Sequence, residues 1–130
     1  MANTSLKPLL VVEDNPGIQK QLKWSFEGYE VIMAGDRQAA LEEIRAQTIP
    51  VVTLDLGLPP DPANASEGLA ALEEILDISP HTKVIVVTGN DDRENALKAI
   101  SSGAYDFYQK PIEPEVLGLI VGRAYNLYEL

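Results

Sequence analysis

The sequence predicts an α/β fold, a doubly wound five-stranded parallel sheet of the form (βα)5, on three observations. Short apolar runs alternate strictly with segments of helical period five times along the chain, and such alternation implies parallel strands joined by crossover helices. Three runs, Leu9-Leu10-Val11-Val12, Val51-Val52-Thr53-Leu54 and Val84-Ile85-Val86-Val87, are almost continuously apolar, as strands buried on both faces must be. Four runs end on reactive residues: Glu13-Asp14, Asp55, Thr88, and Lys110-Pro111 after Phe107-Tyr108. In a parallel sheet these ends share one edge, where open α/β folds bind ligands.

The strands are expected over residues 9–13, 29–34, 51–55, 83–88 and 104–109, with the mixed second and fifth at the edges. Asn15 can cap the first helix with Pro16 at its first position, and Ile18, Leu22 and Phe26 fall along one face. Asp36 caps the next, which buries Ala40, Leu41 and Ile44. Ser66 is expected to cap a third helix that buries Leu69, Leu72, Ile75 and Leu76 and stops before Pro80. Asp91 and Glu94 have capping-box spacing for a fourth, with Ala96, Leu97 and Ile100 inward and Gly103 at its stop. Glu113 and Pro114 open the fifth, where Val116, Leu117, Ile120, Val121 and Ala124 repeat at helical spacing. The one irregular segment is Gly57 to Ala65, which carries three prolines.

A chain of 130 residues fits one domain, with no repeat or linker to mark a second. The longest apolar runs are far shorter than the roughly 20 residues of a membrane helix, and Met1 to Pro8 lacks the features of a secretory signal. The expected location is the cytoplasm. The absence of cysteine excludes a disulfide framework and thiol chemistry. A net charge of −10 opposes binding to nucleic acid, and no membrane attachment is expected of this segment. Part of the acidity (Glu13, Asp14, Asp55, Asp61, Asp91, Asp92) gathers near the proposed site, which suits a cation.

Two carboxylates about 4 Å apart repel by on the order of 4 kcal/mol at an effective dielectric near 20, so three clustered acids need protons or a cation. Mg²⁺ takes oxygen ligands and pairs one or two carboxylates with a phosphate, which Asp14, Asp55 and a phosphoryl group can offer. His81 is the sole histidine, which disfavours zinc or copper. A Lys110 ammonium and a Thr88 hydroxyl suit an anion, and Asp55 beside a metal is then a carboxylate nucleophile able to form an aspartyl phosphate. Each residue alone has a plainer reading as a strand end, turn former or helix-start acid. Coincidence of all four, in this order, is improbable.

These residues resemble those of the receiver domain of bacterial two-component response regulators, over about residues 6–129. The acidic pair in VVEDN, the Asp of TLDLGLP, the Thr of VVTG and the Lys of YDFYQKP match in order and spacing. The resemblance implies a flavodoxin-like fold with strand order 2-1-3-4-5, and transfer of a phosphoryl group to Asp55 from a sensor histidine kinase. It implies Mg²⁺ (or Mn²⁺) held by Asp14, Asp55 and the Gly57 carbonyl, with Glu13 acting mainly through water. Lys110, over a cis Lys110-Pro111 bond, pairs with Asp55 and then with the phosphoryl oxygens, which Thr88 and the Gly89 backbone also contact. Phe107 occupies the aromatic switch position and turns inward, and the fourth helix, last strand and fifth helix form the output face. A shift from 1:99 to 99:1 needs about 5.5 kcal/mol, within reach of a new dianion meeting a metal, a lysine and a hydroxyl.

DLGLPPDP and SEGL are similar to receivers of NtrC-class regulators, particularly of PEP-CTERM/exosortase systems, in which an AAA+ σ54 activator and a helix-turn-helix DNA-binding domain follow. No such effector domain is seen in residues 1–130, so the chain reads as a single receiver domain, either a fragment or stand-alone. A homodimer on phosphorylation is expected by the same resemblance. Two departures stand out. Gly68 lies thirteen positions after Asp55, and the extra residues Pro60 to Ser66 either tune kinase choice or phosphoryl lifetime or only decorate the surface. The switch position holds Phe107, which has no hydroxyl. The competing functions are a dimerising pseudo-receiver and a haloacid dehalogenase-like phosphohydrolase. The latter wants a second Asp where Gly57 stands, and no enzyme with a substrate of its own is expected.

Overall fold

The computed structural model describes residues 6–89 and 93–130. It contains β1 (Lys7–Val12), α1 (Pro16–Ser25), β2 (Tyr29–Ala34), α2 (Arg37–Ala46), β3 (Val51–Asp55), α3 (Ser66–Ile78), β4 (Lys83–Thr88), α4 (Arg93–Ser101), β5 (Asp106–Gln109) and α5 (Pro114–Glu129). All the strand pairs are parallel and the sheet order is β2-β1-β3-β4-β5, as expected. The order reverses between β1 and β3, so the first crossover runs one way and the later ones the other, leaving a crevice at the carboxyl ends of these strands.

Period 2 along the inner strands divides the core in two. Leu10, Val12, Val52, Leu54, Val84 and Val86 face one side, packed with Ala40, Leu41 and Ile44 of α2 and Ala71, Leu72 and Ile75 of α3. Leu9, Val11, Val51, Ile85 and Val87 face the other, against Leu22, Leu117, Val121 and Ala124 of α1 and α5. Leu9, Leu10 and Leu54 are wholly buried, each burial being worth about 1.5–3 kcal/mol. Val12 stands opposite Leu54 and Asp55 opposite Val87. Glu13, Asp55 and Thr88 therefore emerge at nearly one level.

The helix starts show where local signals decide and where packing does. Asn15 accepts from the Ile18 N–H at 3.1 Å, and Asp36 from the Ala39 N–H at 2.8 Å, as their side chains predict. Ser66 is not a cap: it is the first residue of α3, and its hydroxyl donates to Asp61 Oδ2 at 3.0 Å. The Leu56 carbonyl does the capping instead, accepting from the Gly68 N–H at 3.2 Å. That approach is so close that a Cβ on Gly68 would lie 2.3 Å from Leu56 Cα.

Helix α4 departs from expectation. It packs inward through Ala96 and Ala99, while Leu97 is 59% and Ile100 42% exposed. The two alanines fall on the inner stripe of the helix, which leaves the larger apolar residues on its outer face. Val116 of α5 is likewise largely exposed. Gly103 ends the α4 region at φ +106°, a conformation that favours glycine. The capping role expected of Asp91 lies outside the described residues. Strand β5 starts at Asp106 rather than 104, although the Tyr105 N–H still bonds the Val84 carbonyl at 2.8 Å. The peptide bonds Pro59-Pro60 and Lys110-Pro111 are cis.

Candidate functional site

Each side chain of the site is delivered by a strand end. Beyond β1, the Glu13 N–H donates to the Ala34 carbonyl at 2.9 Å, extending the ladder by one residue and aiming the buried Glu13 side chain over the sheet edge. Its Oε2 accepts from the Asn15 N–H at 3.1 Å. Asp55 ends β3, and its Oδ1 accepts from the Gly57 N–H at 3.1 Å, which orients the carboxylate. Beyond β5, the Lys110 N–H donates to the Thr88 carbonyl at 2.8 Å and roots the lysine beside β4. The Tyr108 hydroxyl accepts from the Glu113 N–H at 2.6 Å and donates to the Pro111 carbonyl at 3.3 Å, bracing the segment that follows the lysine.

The Lys110 ammonium lies 3.1 Å from Glu13 Oε1 and 3.5 Å from Asp55 Oδ2. The side chains are 3% exposed at Glu13, 12% at Asp55 and 18% at Lys110, so Asp55 and Lys110 keep access to solvent where Glu13 does not. Glu13, Asp14 and Asp55 each present a carboxylate oxygen, all within 4.8 Å of one another. Burial pushes the Glu13 carboxyl up to about 7, and the Asp55 charge adds to it, against the lowering effect of the Asn15 N–H and Lys110. Three acids and one ammonium leave an excess of negative charge. An all-oxygen donor set in that condition fits a hard divalent cation.

Asp55, Gly57, Thr88, Gly89 and Lys110 line one cleft of about 260 Å³, which Pro62, Asn64 and Asn95 complete. Gly57 is required there, since a Cβ would stand 2.6 Å from the Pro62 carbonyl oxygen. Phe107 is not among the cleft residues; its ring is 41% exposed on β5. Asp61 turns to its own loop, and Asp91 and Asp92 lie outside the described residues. Sequence reasoning missed the bracing by Tyr108, the Lys110–Glu13 contact, and the cleft positions of Asn64 and Asn95. The only available signal for Asn95 was its place in the first turn of the helix after Thr88.

Three carboxylates, one of them ending β3, an ammonium and a hydroxyl thus gather at the crevice of a 2-1-3-4-5 sheet. The chain belongs to the response regulator receiver domain family, whose pattern matches residues 9–121. It is 30% identical over 98% of its length to the regulatory protein AtoC of Escherichia coli, and 33% identical over 94% to the nitrogen assimilation regulatory protein NtrX of Azorhizobium caulinodans. The chain spans 27% of the length of each of these two proteins. The crystal structure of a CheY-like receiver domain protein from Methanospirillum hungatei superposes with a TM-score of 0.87 at 31% identity, covering 96% of this chain and 98% of that one. Among the described residues no helix is long and apolar enough to cross a membrane.

Proposed function

We propose that Asp55 is the phosphoacceptor of a cytoplasmic two-component response regulator, taking its phosphoryl group from a phosphohistidine of a sensor histidine kinase. The observation that carries this reading is the Asp55 carboxylate, partly open to a cleft whose lining also includes Lys110 and Thr88. A carboxylate oxygen of Asp55 attacks phosphorus, the P–N bond breaks, and its electron pair stays on the departing imidazole. Lys110, already paired with Asp55, follows the new charge onto the phosphoryl oxygens. Thr88 and the Gly89 N–H donate to the same oxygens. Glu13, Asp14, Asp55 and the Gly57 carbonyl are the residues that would hold Mg²⁺ (or Mn²⁺). Once bound, such an ion offsets charge on the transferring group.

The phosphoryl group then biases the α4-β5-α5 face, where Phe107 moves inward from its half-exposed position and a homodimer forms. Leu97, Ile100 and Leu119 already stand exposed on α4 and α5. In a longer NtrC-class regulator this face would control an AAA+ σ54 activator and a helix-turn-helix domain, and so transcription. The segment itself has no substrate to turn over beyond assisting its own phosphorylation and dephosphorylation.

Intact mass after incubation with acetyl phosphate, with and without Mg²⁺, tests the reading. Wild type gains one phosphoryl group only with Mg²⁺, and Asp55→Asn gains none. Mg²⁺-dependent labelling that persists in Asp55→Asn would overturn it.

A further inference from the structure

The residues between β3 and α3 form a built wall rather than a loose strand of chain. Leu56 and Leu58 are buried in the α2–α3 side of the core and anchor one end, and buried Ala65 anchors the other. Between them the Asp61 carboxylate ties the turn together: Oδ1 accepts from Asn64 Nδ2 at 2.9 Å and Oδ2 from Ser66 Oγ at 3.0 Å. Backbone bonds repeat the closure, from the Asp61 N–H to the Leu58 carbonyl at 3.0 Å and from the Asn64 N–H to the Asp61 carbonyl at 3.1 Å. The product of this bracing is one side of the Asp55 cleft, made by Pro62, Ala63, Asn64 and Ala65.

We propose that Asp61 is a positioning residue that sets the lifetime of the aspartyl phosphate, by holding the 62–65 wall closed beside it. The inference rests on Asp55 being the acceptor. Hydrolysis needs a water oxygen to attack phosphorus in line with the bond to the Asp55 oxygen, from the mouth of the cleft. That P–O bond breaks, its electron pair returns to the Asp55 carboxylate, and inorganic phosphate leaves with the water oxygen and its two protons, one of which then exchanges with solvent. Along this wall Pro62, Ala63 and Ala65 have no polar side-chain atom with which to hold a water, and one N–H of the Asn64 amide is tied to Asp61, which fixes how that side chain is turned. The braced wall therefore holds its one polar side chain in a fixed orientation, where it cannot turn to follow the attacking water. Freed from Asp61, the wall opens and the Asn64 amide becomes able to orient water at the mouth. A phosphohistidine donor uses the same line of approach, but brings the binding energy of its own protein to it.

The test is the decay of the phosphorylated protein, labelled with acetyl phosphate and Mg²⁺ and then freed of donor, followed by intact mass for wild type, Asp61→Ala and Asp61→Asn. Loss of two hydrogen bonds from the wall is expected to shorten the half-life of Asp61→Ala about five- to tenfold, with the extent of labelling and the melting temperature close to wild type. Asp61→Asn, which keeps the shape and one carbonyl acceptor, falls between. If Asp61→Ala does not fold, Ser66→Ala removes one brace and is expected to shorten the half-life by a smaller factor. Equal or longer half-lives in folded, labelled variants overturn the proposal and leave the assignment of Asp55 standing. No labelling of wild type overturns both.

Discussion

The Lys110 ammonium sits closer to Glu13 than to Asp55, at 3.1 Å from Glu13 Oε1 against 3.5 Å from Asp55 Oδ2. Glu13 is the more buried acid, so the lysine is drawn toward the charge that water screens least. Asp55 keeps a weaker hold on the lysine and an open side, the condition a nucleophile needs. The same cation thus supports the buried acid and, on the proposed reading, is at hand for a phosphoryl group on Asp55.

Replacing Lys110 by Met should make that sharing visible. Three carboxylates then face one another without an internal cation, and about 2–3 kcal/mol of stability is lost at pH 8. At pH 5 the loss is much smaller, because Glu13 takes up a proton. Urea denaturation at both pH values, with and without Mg²⁺, measures this; an equal loss at both pH values would count against it.

The Glu13 carboxyl gives a pH dependence with a defined sign. Its value rises from an ordinary 4.5 to about 7 on folding, so the folded chain binds this proton more tightly than the unfolded one. Its contribution to stability is complete below about 4.5, declines as the pH climbs, and is gone above about 7. Without divalent ions, stability should fall between pH 5 and 8 by on the order of a few kcal/mol more in wild type than in Glu13→Gln. Mg²⁺ should remove most of the difference, since it favours the ionised acid. Parallel slopes for the two proteins would dismiss this account of Glu13.

Two glycines should respond oppositely to alanine. At Gly68 a Cβ would meet the Leu56 backbone at 2.3 Å, so Gly68→Ala must push α3 off β3 and is expected to cost about 3 kcal/mol or more. At Gly118, inside α5, nothing lies within 4 Å, and Gly118→Ala should stabilise by about 0.5–1 kcal/mol. Chemical denaturation of both variants decides; a harmless Gly68→Ala would show that α3 does not rest on Leu56 in this way.

Thr53 offers a quieter test. Its hydroxyl is buried and has no hydrogen-bond partner among the described residues. Valine has the same shape without the polar atom, so Thr53→Val should be neutral or stabilising by about 1 kcal/mol. A clear loss of stability would mean that the hydroxyl is satisfied after all.

The sheet was legible because interior parallel strands must be apolar on both faces, and residues 9–12, 51–54 and 84–87 are. The placing of Glu13, Asp14, Asp55, Thr88 and Lys110 along one edge then followed from direction alone. The orientation of α4 was not legible: Leu97 and Ile100 are larger apolar residues than Ala96 and Ala99, yet the alanines occupy the inner stripe. Ser66 misled for a related reason, since the backbone carbonyl of Leu56, just past the end of β3, took the role its hydroxyl has in local sequence. Nor did order along the chain reveal that Lys110 lies nearer the first acid than the central one, because relative burial, which only the packed structure sets, decides that.

The central claim is that Asp55, and no other carboxylate, carries the phosphoryl group. Borohydride reduction of the protein after acetyl phosphate and Mg²⁺, followed by peptide mass mapping, tests it most directly, because an acyl phosphate is reduced to an alcohol while free carboxylates are untouched. The expected result is homoserine at position 55 alone, dependent on Mg²⁺. Reduction at Asp14, Glu13 or any other acid, with Asp55 unchanged, would contradict it.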